Sequence, residues 1–320
     1  MKITVVIPNY NGMKYLPACL QALAGQQYPA HILIVDNGSA DGSAEWIKQH
    51  YPEYELCILP ENTGFCNAVN VGIRMAQTPY VLLLNNDTQV KPGFLENMEK
   101  AIEQSGKIFS VSAKMLCMAE ESRMDNAGDL YCGLGWAFAR GSGKPAVKYE
   151  KPARIFSACG GAVIYRKELL EKIGVFDNTH FAYLEDVDIG WRARIYGYEN
   201  RYEPKAQVLH AGSGATGSKH NAFKVTYSSA NSVRIIRKNM PIFQRLLNLP
   251  LLLLGFFIKT LFFTAKGMGG IYIKGCLRGL KESCTKEGRE RKVPFYWRHF
   301  GNYIRIQLAL WWNILRILYN

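Results

Sequence analysis

The chain is expected to fold as an α/β protein around a mostly parallel, doubly wound sheet. Two observations carry that expectation. Short apolar, β-rich runs alternate with segments of helical spacing from Ile3 to Leu84, and the tips after Val35, Leu59 and Leu84 are rich in Asp, Asn and Gly. The 320 residues are enough for one large domain with an appendage, or for two domains, and a composition of 48% hydrophobic and 12% aromatic residues is that of a globular chain.

Taken in order, Ile3 to Ile7 is a continuous strand-like run, and the apolar stretch within Met1 to Pro8 is too short for a signal peptide. Tyr15 to Ala24 has helical spacing, His31 to Val35 is a second strand and Ser43 to His50 a second helix. A third strand near Leu56 to Leu59, a helix over roughly Gly64 to Ala76 and a fourth strand, Tyr80 to Leu84, complete the unit. Phe138 to Pro152, with Gly, Pro and Lys, reads as an exposed loop. The eight cysteines include no close Cys-x-x-Cys pair, so they are expected to be reduced thiols in a cytoplasmic protein.

Charge divides the chain. Residues 237 to 320 hold fifteen Lys and Arg against three Glu, a local net of +12 out of +13, and no acidic residue occurs between Glu203 and Glu282. Such a block points to an anionic surface. Its basic residues sit among Leu and Phe runs with no recognition motif, which argues against nucleic acid. Leu246 to Ile258 is uncharged for thirteen residues and contains Pro250 and Gly255. That is short of the twenty or so residues a spanning helix needs, so a simple transmembrane segment is not expected. Arg298 and Arg305 repeat at seven with Phe300, Tyr303, Ile304, Trp311 and Trp312 on another side, which suits an interfacial amphipathic anchor. A helical appendage packed on the first domain or on a second subunit is the alternative.

Two acidic clusters carry the chemistry. Asp87 stands where the fourth strand ends, facing the crevice in which α/β sheets bind ligands. A carboxylate there is placed to hold a divalent cation against phosphates. About a hundred residues later, Glu185, Asp186 and Asp188 offer a general base. Gly212-Ser-Gly-Ala-Thr-Gly217 matches a dinucleotide-binding pattern but has no acidic residue some twenty positions on, so a mobile loop over donor or acceptor is expected instead.

Val6-Ile-Pro-Asn-Tyr-Asn-Gly12, Val35-Asp-Asn-Gly-Ser-Ala-Asp-Gly-Ser43, Asn62-Thr-Gly-Phe-Cys-Asn-Ala-Val-Asn-Val-Gly72 and Leu82-Leu-Leu-Asn-Asn-Asp-Thr88 follow one another down the chain. Downstream come Cys159-Gly-Gly-Ala162, Gly174-Val-Phe-Asp177 and Tyr183-Leu-Glu-Asp-Val-Asp-Ile-Gly-Trp-Arg192. This ordered set resembles the inverting family-2 glycosyltransferases of GT-A, Rossmann-like fold, and most nearly their rhamnosyltransferase-like branch, over roughly residues 1 to 215.

A catalytic domain is expected over 1–232, with a nucleotide-sugar half to about 110 and an acceptor half beyond, and after about residue 232 the change to long apolar and basic stretches marks a basic helical region over 233–320. The resemblance implies that Asp36 accepts a hydrogen bond from a uracil or thymine imide, the plain alternative being an Asx turn. Pro8, Asn9, Asn11, Asn70, Asn85 and Asn86 would line the nucleotide sugar, with Asn62, Thr63 and Gly64 opening a helix toward phosphate or ribose. Asp87 and His210 would hold Mg²⁺ or Mn²⁺, although Asn85 stands where the family usually has a second carboxylate. Asp186 would be the base, with Asp188 or Glu185 as fallback. Gly160, Gly161, Glu185 and Trp191 would meet the acceptor. The expected partners are a nucleotide-sugar donor, a glycan acceptor carried on a polyprenyl lipid and an anionic membrane surface at the inner face of the cell membrane, with a homodimer possible. His31, His50, His180, His220 and His299 are expected at the surface or in packing. A protein that binds nucleotide sugar or lipid without catalysis would not need the second acidic cluster.

Overall fold

The computed structural model describes residues 1–212 and 221–317. Its first unit runs β1 (Ile3–Asn9), α1 (Leu16–Ala24), β2 (His31–Asp36), α2 (Ser43–His50), β3 (Glu55–Ile58), α3 (Phe65–Met75) and β4 (Tyr80–Leu84). These are the elements anticipated from the sequence, because each strand is an uninterrupted β-rich run and each helix has one apolar face. The strands pair in parallel in the order β3-β2-β1-β4, so the sheet's connections reverse between β1 and β4 and open a crevice at the strand ends. Alternate side chains of β1 serve opposite faces. Ile3, Val5 and Ile7 pack with Leu16 and Leu20 of α1, while Val6 packs with Val69 and Ile73 of α3. Gly72 lies directly under Val6, where any Cβ would collide with the valine methyls.

The chain continues through β5 (Thr88–Val90), α4 (Phe94–Glu103), β6 (Ile108–Cys117), β7 (Glu120–Asn126), β8 (Asp129–Tyr131) and β9 (Ala137–Ala139). Then follow β10 (Ala153–Ile155), β11 (Ala162–Arg166), α5 (Lys167–Ile173), α6 (Glu185–Ile195) and β12 (Glu199–His210). β11 inserts antiparallel beside β4, and β6 and β12 extend the sheet beyond it in parallel. The segment 138–152 is mostly exposed, as expected, but it opens in β9 and is tied down by the Tyr149 carbonyl, which accepts from Tyr202 Oη at 2.8 Å. All eight cysteines are free thiols.

The C-terminal helices are α7 (Ala222–Asn239), α8 (Ile242–Ala265), α9 (Gly269–Cys284), the single turn α10 (Lys286–Glu290) and α11 (Phe300–Ile317). They share a core with the first domain, in which Tyr131, Phe156 and Trp191 meet Ile235, Leu252, Tyr303, Ile306 and Leu310. The expectation against a span-length helix is corrected. α8 runs 24 residues straight through Pro250, taking in Arg245 and Lys259, and is long and apolar enough by length and composition to cross a membrane. α8 buries two amides beside Leu252, Gly255 and Phe263 and leaves a broad apolar face outside. Gln244 and Asn248 are buried and bond to Gln307 and Trp311 of α11, whereas Leu246, Leu253, Leu254, Phe257 and Leu261 are exposed. On α11, Tyr303 also departs from its expected place. It is buried against Phe243 and Phe295, while Phe300, Ile304, Trp311 and Trp312 face outward.

Candidate active site

Three strand tips meet through Asn9 at the end of β1. Its Nδ2 donates to Asp36 Oδ1 at 2.7 Å and to Ser43 Oγ at 2.9 Å, and its Oδ1 accepts from Asn86 Nδ2 at 2.7 Å. Pro8, next to last in β1, lies opposite Val35, and Asn11, at φ 49°, accepts from the Ala40 N–H. Asp36 is buried, and its Oδ2 accepts from the Ser39 N–H at 3.0 Å, three residues on, so it also braces the loop that follows β2. Asn37 was not singled out from the sequence. Its side chain accepts from the Thr63 N–H and Oγ1 and donates to Asn62 Oδ1, which places 62–64 at the start of α3. Asn70 is corrected, because its amide is consumed by the Phe176 backbone and Asn178 and so braces that loop instead of facing the crevice.

Asp87 and His210 are brought together by the antiparallel pairing of β5 with β12. His210 Nε2 lies 3.3 Å from Asp87 Oδ1, and its Nδ1 lies 2.8 Å from Asp125 Oδ2. Burial lowers the imidazole's proton affinity, but hydrogen bonds to Asp125 and Asp87 outweigh it and push the pKa up to about 10. Asp125 escaped sequence reasoning because only the β6–β7 hairpin carries it to this place. Once a cation displaces the Nε2 proton, a carboxylate oxygen and an imidazole nitrogen with a carboxylate behind it would form a donor set that suits a divalent cation. Asn85 adds no anionic ligand: its N–H donates to the Gly161 carbonyl at 2.9 Å and its carbonyl accepts from Thr88.

Asp186 sits half-buried in the first turn of α6. Its Oδ1 accepts from the Val187 N–H at 2.7 Å and its Oδ2 from the Gly160 N–H at 3.3 Å. Asp129 and Cys159 lie beside it, with one ligand atom of each of the three within 4.8 Å of the others. Burial pushes the Asp129 carboxyl well above the usual range, and Asp186 adds to the rise. Asp129 therefore holds a proton and donates it toward Asp186, whose own affinity is raised by burial and moderated by that bond. Burial also raises the Cys159 thiol.

The fallback bases separate clearly. Asp188 is fully buried and, against the effect of burial, Lys238 and Arg192 hold it well below the usual carboxylate range. It is a structural anion and not a base. Glu185 is buried with one oxygen unpartnered, and burial followed by the charge of Asp186 pushes its pKa up to about 8. Trp191 is corrected from acceptor contact to core, since it is wholly enclosed by Tyr131 and Phe156. Gly160 and Gly161 act through backbone atoms, and His180 is a packing residue as expected, with no exposed surface. Residues 213–217 of the glycine-rich pattern, and His220, lie outside the described residues.

Residues 4–174 match the family described as Glycosyl transferase family 2. The N-acetylglucosaminyl-diphospho-decaprenol L-rhamnosyltransferase of Mycobacterium tuberculosis is 26% identical over 245 residues, covering 67% of this chain and 78% of its own. The Bacillus subtilis glycosyltransferase YwdF is 28% identical over 218 residues, covering 67% and 76%. Among solved structures, GalNAc-T7 with UDP, GalNAc and Mn²⁺ aligns with a TM-score of 0.60 at 17% identity over 74% of this chain and 47% of its own. S. aureus TarS 1-349 with UDP-GlcNAc aligns with a TM-score of 0.59 at 17% identity over 91% and 84%. The parallel 3-2-1-4 sheet, the acidic group at the β4 tip and the match over more than half of the sequence lead to one conclusion: this chain belongs to glycosyltransferase family 2 and has its GT-A fold.

Proposed function

We propose that the chain is an inverting, metal-dependent glycosyltransferase that moves a sugar, first of all L-rhamnose from dTDP-rhamnose, to a lipid-linked glycan in cell-surface polysaccharide synthesis. The observation that carries the reading is Asp186, half-buried in the first turn of α6, with its oxygens accepting from the Gly160 and Val187 N–H groups and with ligand atoms of Asp129 and Cys159 within 4.8 Å. Asp36 would accept from the pyrimidine imide, and the N–H groups at 62–64 would meet ribose or phosphate. Asp87 and His210, backed by Asp125, would hold a divalent cation that neutralises the charge of the leaving diphosphate. Asp186 would take the proton of the acceptor hydroxyl as that oxygen attacks the anomeric carbon opposite the leaving group, inverting its configuration. The Mycobacterium relative, named for N-acetylglucosaminyl-diphospho-decaprenol, supports both rhamnose and a lipid-linked acceptor. UDP in GalNAc-T7 and UDP-GlcNAc in TarS support the second donor choice, a UDP-hexose.

The outward apolar face of α8 and α11, in a region of net +12, supports a site of work on the inner, anionic face of the cell membrane. A panel of nucleotide sugars with and without Mn²⁺, read by thermal shift, tests the donor, because a ligand that binds only the folded state raises its melting point. A shift with dTDP-rhamnose that grows with Mn²⁺ is expected. A Mn²⁺-dependent shift with UDP-hexoses alone would replace the donor, and no shift with any nucleotide sugar would defeat the proposal.

A further inference from the structure

Between Asp177 and Glu185 the backbone adopts a conformation that its own side chains disfavour. Phe181, Tyr183 and Leu184 have φ of 60°, 73° and 67°, although none is glycine. Phe181, with ψ −61°, closes a γ-turn in which the Ala182 N–H donates to the His180 carbonyl at 2.6 Å. Left-handed bulky residues persist only where their surroundings over-determine them, and such strain gathers at functional sites. This turn leads directly into Glu185 and Asp186.

The surroundings are supplied by α7. Asn231, wholly buried, donates from Nδ2 to the carbonyls of His180, Ala182 and Tyr183 at 3.0, 3.0 and 2.8 Å. The intervening carbonyl, of Phe181, accepts from the Cys66 N–H at 3.3 Å. Arg234, one turn further along α7, donates to the Thr179 carbonyl at 2.8 Å and to Asn231 Oδ1, and it pairs with Glu282 of α9. One amide thus anchors the whole turn, and the C-terminal helices brace that amide.

We infer that Asn231 is a positioning residue for the reaction. It holds the strained 181–184 backbone so that the first turn of α6 aims Asp186 at the acceptor, with Arg234 and Glu282 fixing its orientation. The inference rests on the proposed role of Asp186. It also makes the packing of the C-terminal helices a condition of turnover, through the Glu282–Arg234–Asn231 chain of contacts.

The test uses the full chain, with Asn231→Ala, Glu282→Gln and Asp186→Asn. Transfer is measured from dTDP-L-rhamnose and UDP-hexoses to N-acetylglucosaminyl-diphospho-polyprenol, nucleotide binding by calorimetry with dTDP, UDP and Mn²⁺, and local opening by amide hydrogen exchange. Asn231→Ala is expected to keep nucleotide affinity and donor KM, to lower kcat by about 10²-fold, and to speed exchange at 180–187 while β1 and β4 stay as in the wild type. Glu282→Gln should lower kcat in the same direction by less. A folded Asn231→Ala with wild-type kcat, or with a loss confined to KM, overturns the inference. Should Asn231→Ala open β1 and β4 as well, Glu282→Gln decides, and unchanged kcat there overturns it. Wild-type turnover in Asp186→Asn would sink the assignment of the base instead, leaving the exchange result to stand on its own.

Discussion

Asp129 decides what Asp186 can do. Burial raises its proton affinity and a bond from it lowers that of Asp186, so the proposed base is stabilised by a proton that burial keeps on Asp129. Asp186→Asn should retain nucleotide binding and lower turnover by about two to four orders of magnitude, measured as kcat with binding followed by calorimetry. Asp129→Asn keeps a donor and should leave the acidic limb of the kcat profile nearly in place. Asp129→Ala removes the donor, raises the Asp186 pKa and should move that limb to higher pH; a limb that stays put would show that the two carboxyls do not share a proton. Glu185 makes a stability prediction. Its folded pKa, about 8 against 4.5, means that the folded state binds more protons across that window. Stability therefore falls as pH rises from about 4.5 to 8. Glu185→Gln should remove that fall and stabilise the fold at pH 8.5 by about 1–3 kcal/mol, read from melting temperatures across the pH range.

At the scale of elements, pairing builds the proposed cation site. β5 against β12 sets Asp87 beside His210, and the β6–β7 hairpin delivers Asp125 behind the imidazole. Asp87→Ala is expected to abolish the gain in nucleoside diphosphate affinity that Mn²⁺ gives, and His210→Ala to weaken it. Asp125→Asn should cost roughly 10-fold to 100-fold in Mn²⁺ affinity, the range for partners behind a ligand. Calorimetry in which all three behave as the wild type would remove these residues from the metal site. Helix α8 follows a different logic, with Gln244 and Asn248 inward toward Gln307 and an exposed face of Leu and Phe.

For the whole molecule, the C-terminal region completes the core around Trp191, so it cannot be removed without stripping that core. Membrane attachment is therefore best tested on the full chain. With each basic residue near an anionic surface contributing on the order of 1 kcal/mol, the protein is expected to float with anionic vesicles, less so at high salt. Leu253→Glu with Phe257→Glu, both exposed, should weaken flotation while leaving the melting temperature nearly unchanged. Absence of flotation at low salt, together with a dimer in solution that the same substitutions dissolve, would assign the α8 face to a second copy.

Local pattern was enough for the β1–β4 unit, whose boundaries could be read because apolar runs, helical spacing and Asn/Gly-rich tips all agree there. The order of motifs was likewise enough to name Asp36, Asp87, Asp186 and His210 as the residues on which to look for chemistry. What the sequence could not supply were relations across distance. Asp129 and Asp125 carry no local signal, and they matter only because hairpins set them against Asp186 and His210. Trp191 and Asn70 lie within the motifs yet point into the interior, because a helix has one face toward the crevice and motif membership does not say which residue is on it. The thirteen uncharged residues from Leu246 read as too short for a span, and only packing shows α8 running on through Pro250: inward Gln244 and Asn248 tie the turns before the proline to α11, and beyond it the Gly255 carbonyl accepts from Trp136 Nε1. A carboxyl's proton affinity, a helix's buried face and a strained turn's anchor are all set by neighbours far along the chain, and only the tertiary structure brings those neighbours together.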